Sequence, residues 1–571
     1  MKSAQLKAES LFMGRSPWKC PFKQAGWKIV PIYLFLIVFV IIPLLKIFVD
    51  TIWTTEGQLT FEYVRSFFSD PFYLKAIGNS MLLSFYVVIT TTILGFCCAY
   101  FLVRYDFWGK RLFSYLSFFP IIMPPLVGVM GFIFILGRSG TVNTILMDYF
   151  GLRQPLNFIY GWHGILLVET LHLFPIIAIN ITDSLGKIDA SLEEAAESVG
   201  SIGLRRLKDI TFPLTTPGYI SGALLVFMWT FADFATPLVV GIHDLLATQA
   251  YLNIVQFVDR NIFQMGIVIG VFMIFLSIVF LFISNKYLGM KDYAILSYRS
   301  VERKRLTGFA GFIVPAFFIV TLGLAFIPYL GVTLAAFGKA WAMTPFPVQY
   351  TLNYFTRVIV ETPKYIINTF VYCGLAVILC LVLGIPIAWI LSRTKMKGRW
   401  FLDSLITLIL ALPGTALGIA YIRAFNSPVF GISLASIWII MPILLAVRRL
   451  SYTVRSTYSS LLVVHVSMEE AARSVGASPW KIFQDITLPL IWKGVLAGAL
   501  FSFMTSIQES AATILIALPG WETMTVGTFN FYTSGSINEA AALGFILIVV
   551  GGITLFVIDR ISGMKSGGFF G

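Results

Sequence analysis

Two carboxylates stand where carboxylates are rare. Asp233 lies in the apolar run 219–240 and Glu509 in the apolar run 494–517, and 276 residues separate them. The same interval separates two copies of a polar block, residues 193–214 (EEAAESVGSIGLRRLKDITFPL) and residues 469–490 (EEAARSVGASPWKIFQDITLPL), identical at 12 of 22 positions. A charge at bilayer depth is costly and is a functional hypothesis by default. Two acids at one depth on matched segments are expected to line a passage and to favour a cationic solute. The competing expectation is structural, with each acid hydrogen-bonded to Thr230, Thr236, Thr505, Ser506, Gln508 or Ser510. Glu169 and His172 lie in the run 164–181, and at i and i+3 they share one helix face. The run 434–447 holds no matching acid or histidine, so their role is expected to be asymmetric. It is either pH sensing or ligand contact, or a satisfied structural pair.

Other chemistry finds little support. Four of the five cysteines (Cys97, Cys98, Cys373 and Cys380; the fifth is Cys20) sit in apolar runs, where a thiol behaves as a small hydrophobe. The histidines His163, His172, His243 and His465 are scattered, so no metal site is expected. A phosphate-cradling loop needs Gly-x-x-x-x-Gly-Lys-Ser/Thr, and the Gly-Lys pairs beginning at Gly109, Gly186 and Gly338 lack the following hydroxyl. No nucleophile, base and orienter cluster together, so no catalytic residues are expected.

The elements that must carry these residues follow from composition. Of 571 residues, 58% are hydrophobic and 12% charged, against about 25% charged in a soluble domain. A helix of about 20 apolar residues crosses a bilayer. Twelve runs are candidates, the run 434–447 being short: 29–48, 80–103, 113–136, 164–181, 219–240 and 266–284, then 308–331, 368–391, 402–421, 434–447, 494–517 and 541–558. They are too long, and alternate too little, for membrane strands. The expected fold is an all-α membrane protein of two pseudo-symmetric six-helix halves. Placing both termini in the cytosol puts 31 of the 41 lysines and arginines on that side, the bias that orients spans. The net charge of +13 is read this way rather than as contact with nucleic acid. Both polar blocks then face the cytosol. The expected organisation is a cytosolic tail 1–28, a first half 29–285 with its loop at 187–214, a basic linker 286–307, a second half 308–560 with its loop at 463–490, and a cytosolic tail 561–571. Residues 1–28 run straight into the first apolar run, so a retained helix rather than a cleaved signal is expected. Six spans per half make the halves parallel, related by an axis along the membrane normal.

Each polar block reads as helix, tight turn, helix, proline. Residues 192–199 are expected to be helical, with Gly200 in a left-handed turn and Pro213 stopping a second short helix. In the second copy Gly476 marks the turn, Ser478 is the expected N-cap and Pro479 the first helical residue. The paired alanines suit close docking. Asn79 and Asn368, near the starts of the second spans, are expected as helix caps.

Here the chain resembles a known family. Glu-Ala-Ala, a glycine six residues after the glutamate, then Ile-x-Leu-Pro is similar to the cytosolic loop of ABC-importer permeases. In this sequence it is Glu194, Ala195, Ala196, Gly200, Ile210 and Pro213, with Phe212 where leucine is usual, and Glu470, Ala471, Ala472, Gly476, Ile486, Leu488 and Pro489. The fused six-plus-six plan looks like the permeases of ferric-iron importers, as do the stretches 232–237, 247–252 and 412–418. The resemblance covers essentially the whole chain. It implies a type I permease fold in the inner (plasma) membrane of a prokaryote, working by alternating access. It also implies coupling helices seated on two ABC ATPase subunits, a homodimer, which bind ATP and Mg, and an extracytoplasmic solute-binding protein. No cofactor is expected in this chain. Ferric iron is the first expectation for the cargo, with thiamine, a polyamine, aminoethylphosphonate or a sugar phosphate as the alternative. A sugar phosphate would want arginines, and none lies in the runs drawn at membrane depth; Arg423, at an outer end, is the nearest. A secondary transporter is the alternative of a different class, and it offers no reason for two docking loops.

Overall fold

The computed structural model describes residues 26–53, 58–256, 260–289, 304–339, 341, 344–394, 396, 398–427 and 433–562. Most of the expected tails and of the basic linker fall outside these residues. Among the described residues, ten helices are long and apolar enough to cross a membrane, and a bent pair, Arg399–Ala411 with Gly414–Phe425 at 110°, makes an eleventh if it is counted as one span. Of the remaining expected run, 434–447, Leu434–Ser436 form a separate 3-10 turn, and residues 440–447 open the 24-residue helix Ile440–Val463. That helix is too polar to pass as an apolar span, yet most of the side chains on its first half are buried between Lys364–Arg393 and Leu488–Ile507.

Local chemistry explains where these helices start and break. Asp70 caps the second span, Pro71–Arg104, by accepting from the Phe72 N–H at 2.8 Å, with Pro71 at its first turn. The third spans are broken in both halves. Pro120, Pro124 and Pro125 divide Lys110–Leu116 from Pro125–Leu136. In the second half Pro413 forces Leu412 into an extended conformation (φ −65°, ψ 123°) and creates the bend, because the residue before proline is excluded from the helical region. Asn79 and Asn368 are not caps. Asn79 bonds Asp244 (backbone O 3.2 Å, Oδ2 2.8 Å), and Asn368 bonds the carbonyls of Gly520 and Glu522 at 3.0 and 3.1 Å. Each ties its second span to the loop that follows the fifth.

The repeat keeps strict register where the fourth and fifth spans pack. A Cβ on Gly218 would meet Ser184 Oγ, and one on Gly494 would meet Ser460 Oγ; Gly222 lies against Ile177 and Asn180, and Gly498 against Thr453 and Ser456. Every one of these pairs is 276 residues apart. The halves meet backbone to backbone at Gly131, where a Cβ would come within 2.2 Å of the Pro328 carbonyl oxygen, and at Gly331, where it would come within 2.1 Å of the Gly131 oxygen. Phe529 of the second half packs edge-on to Tyr251, which stacks on Phe234 at 4.4 Å. Tyr105–Asp106 pairs in parallel with Lys304–Arg305. This places the end of the first half's second span beside the start of the second half.

Candidate functional site: paired hairpins and a central cavity

The polar blocks fold as twin hairpins. Helices Ala190–Ser198 and Val466–Ser474 end at Gly200 (φ +83°) and Gly476 (φ +86°). The Ser201 N–H donates to the Ala196 carbonyl at 2.9 Å and the Ala477 N–H to the Ala472 carbonyl at 3.1 Å, the bond that closes a glycine-terminated helix. Ser478 caps the second arm through the Lys481 N–H at 3.3 Å, with Pro479 in the first turn. Pro213 and Pro489 do not stop the second arms. Each arm passes through one wide π turn, Leu207–Thr211 or Phe483–Thr487, and continues as the fifth span, Phe212–Ala232 or Leu488–Ile507. The wider turn shifts the bonding to i→i+5 just before a proline that has no N–H to give. Hairpin and span are therefore one lever.

The two acids of each block face opposite ways. Glu194 and Glu470 are exposed, as are Ala195, Ala471 and the turn residues Val199 (81%) and Val475 (85%). Glu193 and Glu469 point inward. Glu193 pairs with Arg104, the last residue of the second span. Glu469 lies 3.4 Å from Arg393, the last residue of the matching span, and accepts from Thr487 Oγ1 at 3.2 Å. Arg393 also donates to the Leu461 and Val464 carbonyls at 2.9 and 2.8 Å. These buried clamps join hairpin to second span in both halves. Sequence reading missed them, although both arginines close an apolar run. The strand contact sets Arg104 at the end of the bundle where Ala310–Phe337 begins. That helix runs away and Lys364–Arg393 runs back, so both hairpins lie at one end.

The fifth spans break at matched points. In the first half the helix stops at Ala232, and Asp233 accepts from the Ala235 and Thr236 N–H groups at 3.0 and 3.3 Å, opening the short helix Ala235–Val240. Pro237 sits inside that short helix, where its missing N–H cannot reach back to the Asp233 carbonyl. In the second half the helix stops at Ile507, and Glu509 accepts from the Ala512 N–H at 3.1 Å. The expected hydroxyl and amide side chains do not hold Glu509. Arg448 Nε and Arg449 Nη2 donate to its Oε2 at 2.7 and 2.6 Å, and Arg448 Nη1 reaches the Leu412 carbonyl at the third-span bend at 3.1 Å.

Two sequence expectations change with this. Arg448 and Arg449 do stand deep in the bundle, one and two residues beyond the end of the drawn run 434–447, and the acids are not a pair of free carboxylates awaiting a cation. Arg423, the arginine picked out at an outer end, is tied to Asp50 at 2.7 Å. The 276-residue register also sets His172 opposite Arg448, so His172 does have a counterpart. His172, Asp233, Arg448, Arg449 and Glu509 line one cavity of about 130 Å³ at the seam between the halves, with Trp229, Tyr452 and Gln508. Gln508 Nε2 crosses the seam to the Ile122 carbonyl at 2.7 Å. Glu169 is buried beside Asp233, whose carboxyl it meets, and it accepts from Thr230 Oγ1 at 3.5 Å.

Comparison with known proteins gives the same picture. The family of binding-protein-dependent transport system inner membrane components matches residues 91–291 and again 380–564. The chain is 28% identical over 550 residues to the ferric transport system permease protein FbpB of Actinobacillus pleuropneumoniae, covering 94% of this chain and 78% of that one. It is 29% identical over 498 residues to the putative ferric transport system permease protein FbpB 1 of Haemophilus influenzae, covering 85% and 77%. It is 34% identical over 211 residues to the molybdenum transport system permease protein ModB of Escherichia coli, covering 34% of this chain and 92% of that one. Two matched helical halves, each with a hairpin at the same end and both bordering one cavity, define a fused permease of the ABC-importer class. The chain belongs to the family of binding-protein-dependent transport system inner membrane components and carries the family unit twice.

Proposed function

We propose that this chain is the permease of an ATP-driven importer of ferric iron handed over by an extracytoplasmic binding protein. The observation that carries the ATP-driven part is the pair of hairpins, each clamped to its second span by a buried Arg–Glu pair and continuous with its fifth span. Two ATPase subunits, a homodimer in this reading, seat the hairpins at the cytosolic face, and ATP and Mg belong to those subunits. The chain's termini lie in the cytosol, in keeping with its basic residues. When the ATPase dimer closes, each hairpin moves as a rigid body and draws two spans with it, switching the bundle between its two open states. The breaks at Asp233 and Glu509 lie where those levers meet the cavity. Ferric iron is favoured over thiamine, a polyamine, aminoethylphosphonate or a sugar phosphate because two relatives that span most of this chain carry the ferric name.

The test is uptake of radioactive ferric iron into proteoliposomes holding permease and ATPase subunits, with the binding protein supplied outside. Uptake should require both ATP and the binding protein. Uptake driven by an ion gradient alone, without ATPase subunits, would establish a secondary transporter instead.

A further inference from the structure

The cavity at the seam offers guanidinium donors, and the oxygens of both carboxylates in its lining are already engaged. Asp233 has both oxygens turned to backbone N–H groups of its own short helix. Glu509 has Oε1 on the Ala512 N–H and Oε2 on two guanidinium groups. A guanidinium carries five N–H donors and no acceptor. Arg448 commits Nε to Glu509 and Nη1 to Leu412, which leaves Nη2 uncommitted. Arg449 commits Nη2, while its buried Nε has no partner. One carboxylate thus answers two guanidinium groups, and the second-half wall carries surplus positive charge facing Asp233 on the first-half wall. Trp229 and Tyr452 add an indole N–H and a phenol to the same lining.

We propose that Arg448 and Arg449 bind an oxyanion in this cavity, either a free oxyanion or an oxygen ligand carried on a metal ion. Planar guanidinium groups match such oxygens in charge and in geometry. A bare ferric ion wants oxygen ligands, and the carboxylates here have none to release without breaking a helix start or an ion pair. The proposal rests on the importer reading only in placing the cavity on the cargo path. It adds that the cargo passes with its anionic oxygens still attached.

The test uses the purified full-length permease in nanodiscs, without ATPase subunits. Binding is titrated with orthophosphate, with the ferric nitrilotriacetate complex, with metal-free nitrilotriacetate and with spermidine. Orthophosphate binding supports a free oxyanion; binding of the ferric complex alone supports a metal-borne oxygen ligand. Arg448→Gln should raise the dissociation constant by about tenfold or more, the effect of losing a hydrogen bond to a charged group. Glu509→Gln should lower it, because both guanidinium groups are released toward the cavity. If Glu509→Gln weakens binding as much as Arg448→Gln does, the cluster only holds helices together and the proposal fails. Preferred binding of spermidine also overturns it. A measurement on the unaltered protein guards against variants that do not fold: orthophosphate or the ferric complex should slow modification of Arg448 by phenylglyoxal, read by mass spectrometry, and no protection by either refutes the site. Failure here, with ATP-driven ferric uptake intact, removes the oxyanion assignment and leaves the importer reading. Loss of ATP dependence removes the importer reading and leaves this binding result standing.

Discussion

Replacing Arg393 by methionine should detach the second hairpin from the bundle. The Glu469 side chain is 2% exposed, and with Arg393 gone it keeps only Thr487 Oγ1 at 3.2 Å. Removing one partner of a buried ion pair costs about 3–5 kcal/mol, because the charge left behind is neither paired nor solvated. The Leu461 and Val464 carbonyls lose their guanidinium donor as well, so the lower bound is a fair minimum. At about 1.4 kcal/mol per factor of ten, a loss of about 3 kcal/mol shifts the balance between clamped and detached hairpin by roughly a hundredfold. Glu469→Gln alone should cost less, since Arg393 keeps both carbonyls. The double variant should recover part of the loss, with a coupling energy in the range of about 0.5–3 kcal/mol expected for contacting residues. Two readouts are needed. Thermal unfolding of the purified permease reports the clamp, and iron transported per ATP hydrolysed in the assembled transporter reports the linkage. The methionine variant should lose stability and should hydrolyse ATP with little transport. Wild-type transport per ATP in a measurably destabilised variant would show that the clamp is not part of the linkage. Unchanged stability would show that the pair carries no energy at all.

Further outcomes follow from the same geometry. Glu470→Ala should lower ATP-driven uptake with normal membrane insertion, and with Glu194→Ala added uptake should approach the no-ATP background; normal uptake by the double variant would remove the docking role of the exposed acids. Gly331→Ala should destabilise the chain by about 1–3 kcal/mol, the usual range for overpacking, because its Cβ would meet the Gly131 carbonyl oxygen at 2.1 Å. Gly374→Ala, with nothing within 4 Å of its Cβ, is the control and should be neutral or slightly stabilising in thermal unfolding. Single cysteines at Val199 or Val475, in a background free of other cysteines, should react with a membrane-impermeant maleimide in inside-out vesicles and not in intact cells; the opposite pattern would invert the orientation.

The hairpins were legible because a polar block repeated inside an apolar chain stands out, and because glycine at a helix end reports a left-handed turn directly. Which acid of each pair faces inward was not legible. It depends on the phase of a nine-residue helix against an arginine 89 residues earlier, in the case of Glu193 and Arg104. The fourth span of the second half was read short for a related reason. A search for apolar runs stops at the first arginine, so it ended at Val447, next to the two residues that matter most. Prolines 213 and 489 signalled an interruption but not its kind. A π turn and a helix stop share that signature, and the difference lies in whether the chain beyond has a bundle face to pack on. Here it has one, with Gly218 and Gly494 against the fourth spans.

The 276-residue interval first tied together two acids, and it also sets His172 where Arg448 stands, as Asp233 stands where Glu509 does. The halves use the same positions with different strength. In the second half a guanidinium bridges the third-span bend and the fifth-span break, locking three helices with charge-assisted bonds. In the first half an imidazole occupies the corresponding place, and its ring offers at most two N–H donors where a guanidinium offers five. Under the importer reading, both hairpins receive the same push from identical ATPase subunits, while the two halves resist it unequally at the cavity. The first half is then the one expected to yield first, and the oxyanion-binding wall proposed for the second half would hold the cargo while the opposite wall moves. His172→Arg tests this reasoning. It should equalise the two walls and slow the transport cycle even though it adds a donor to the cavity, and a faster cycle would show that cavity charge, rather than unequal locking, limits the rate.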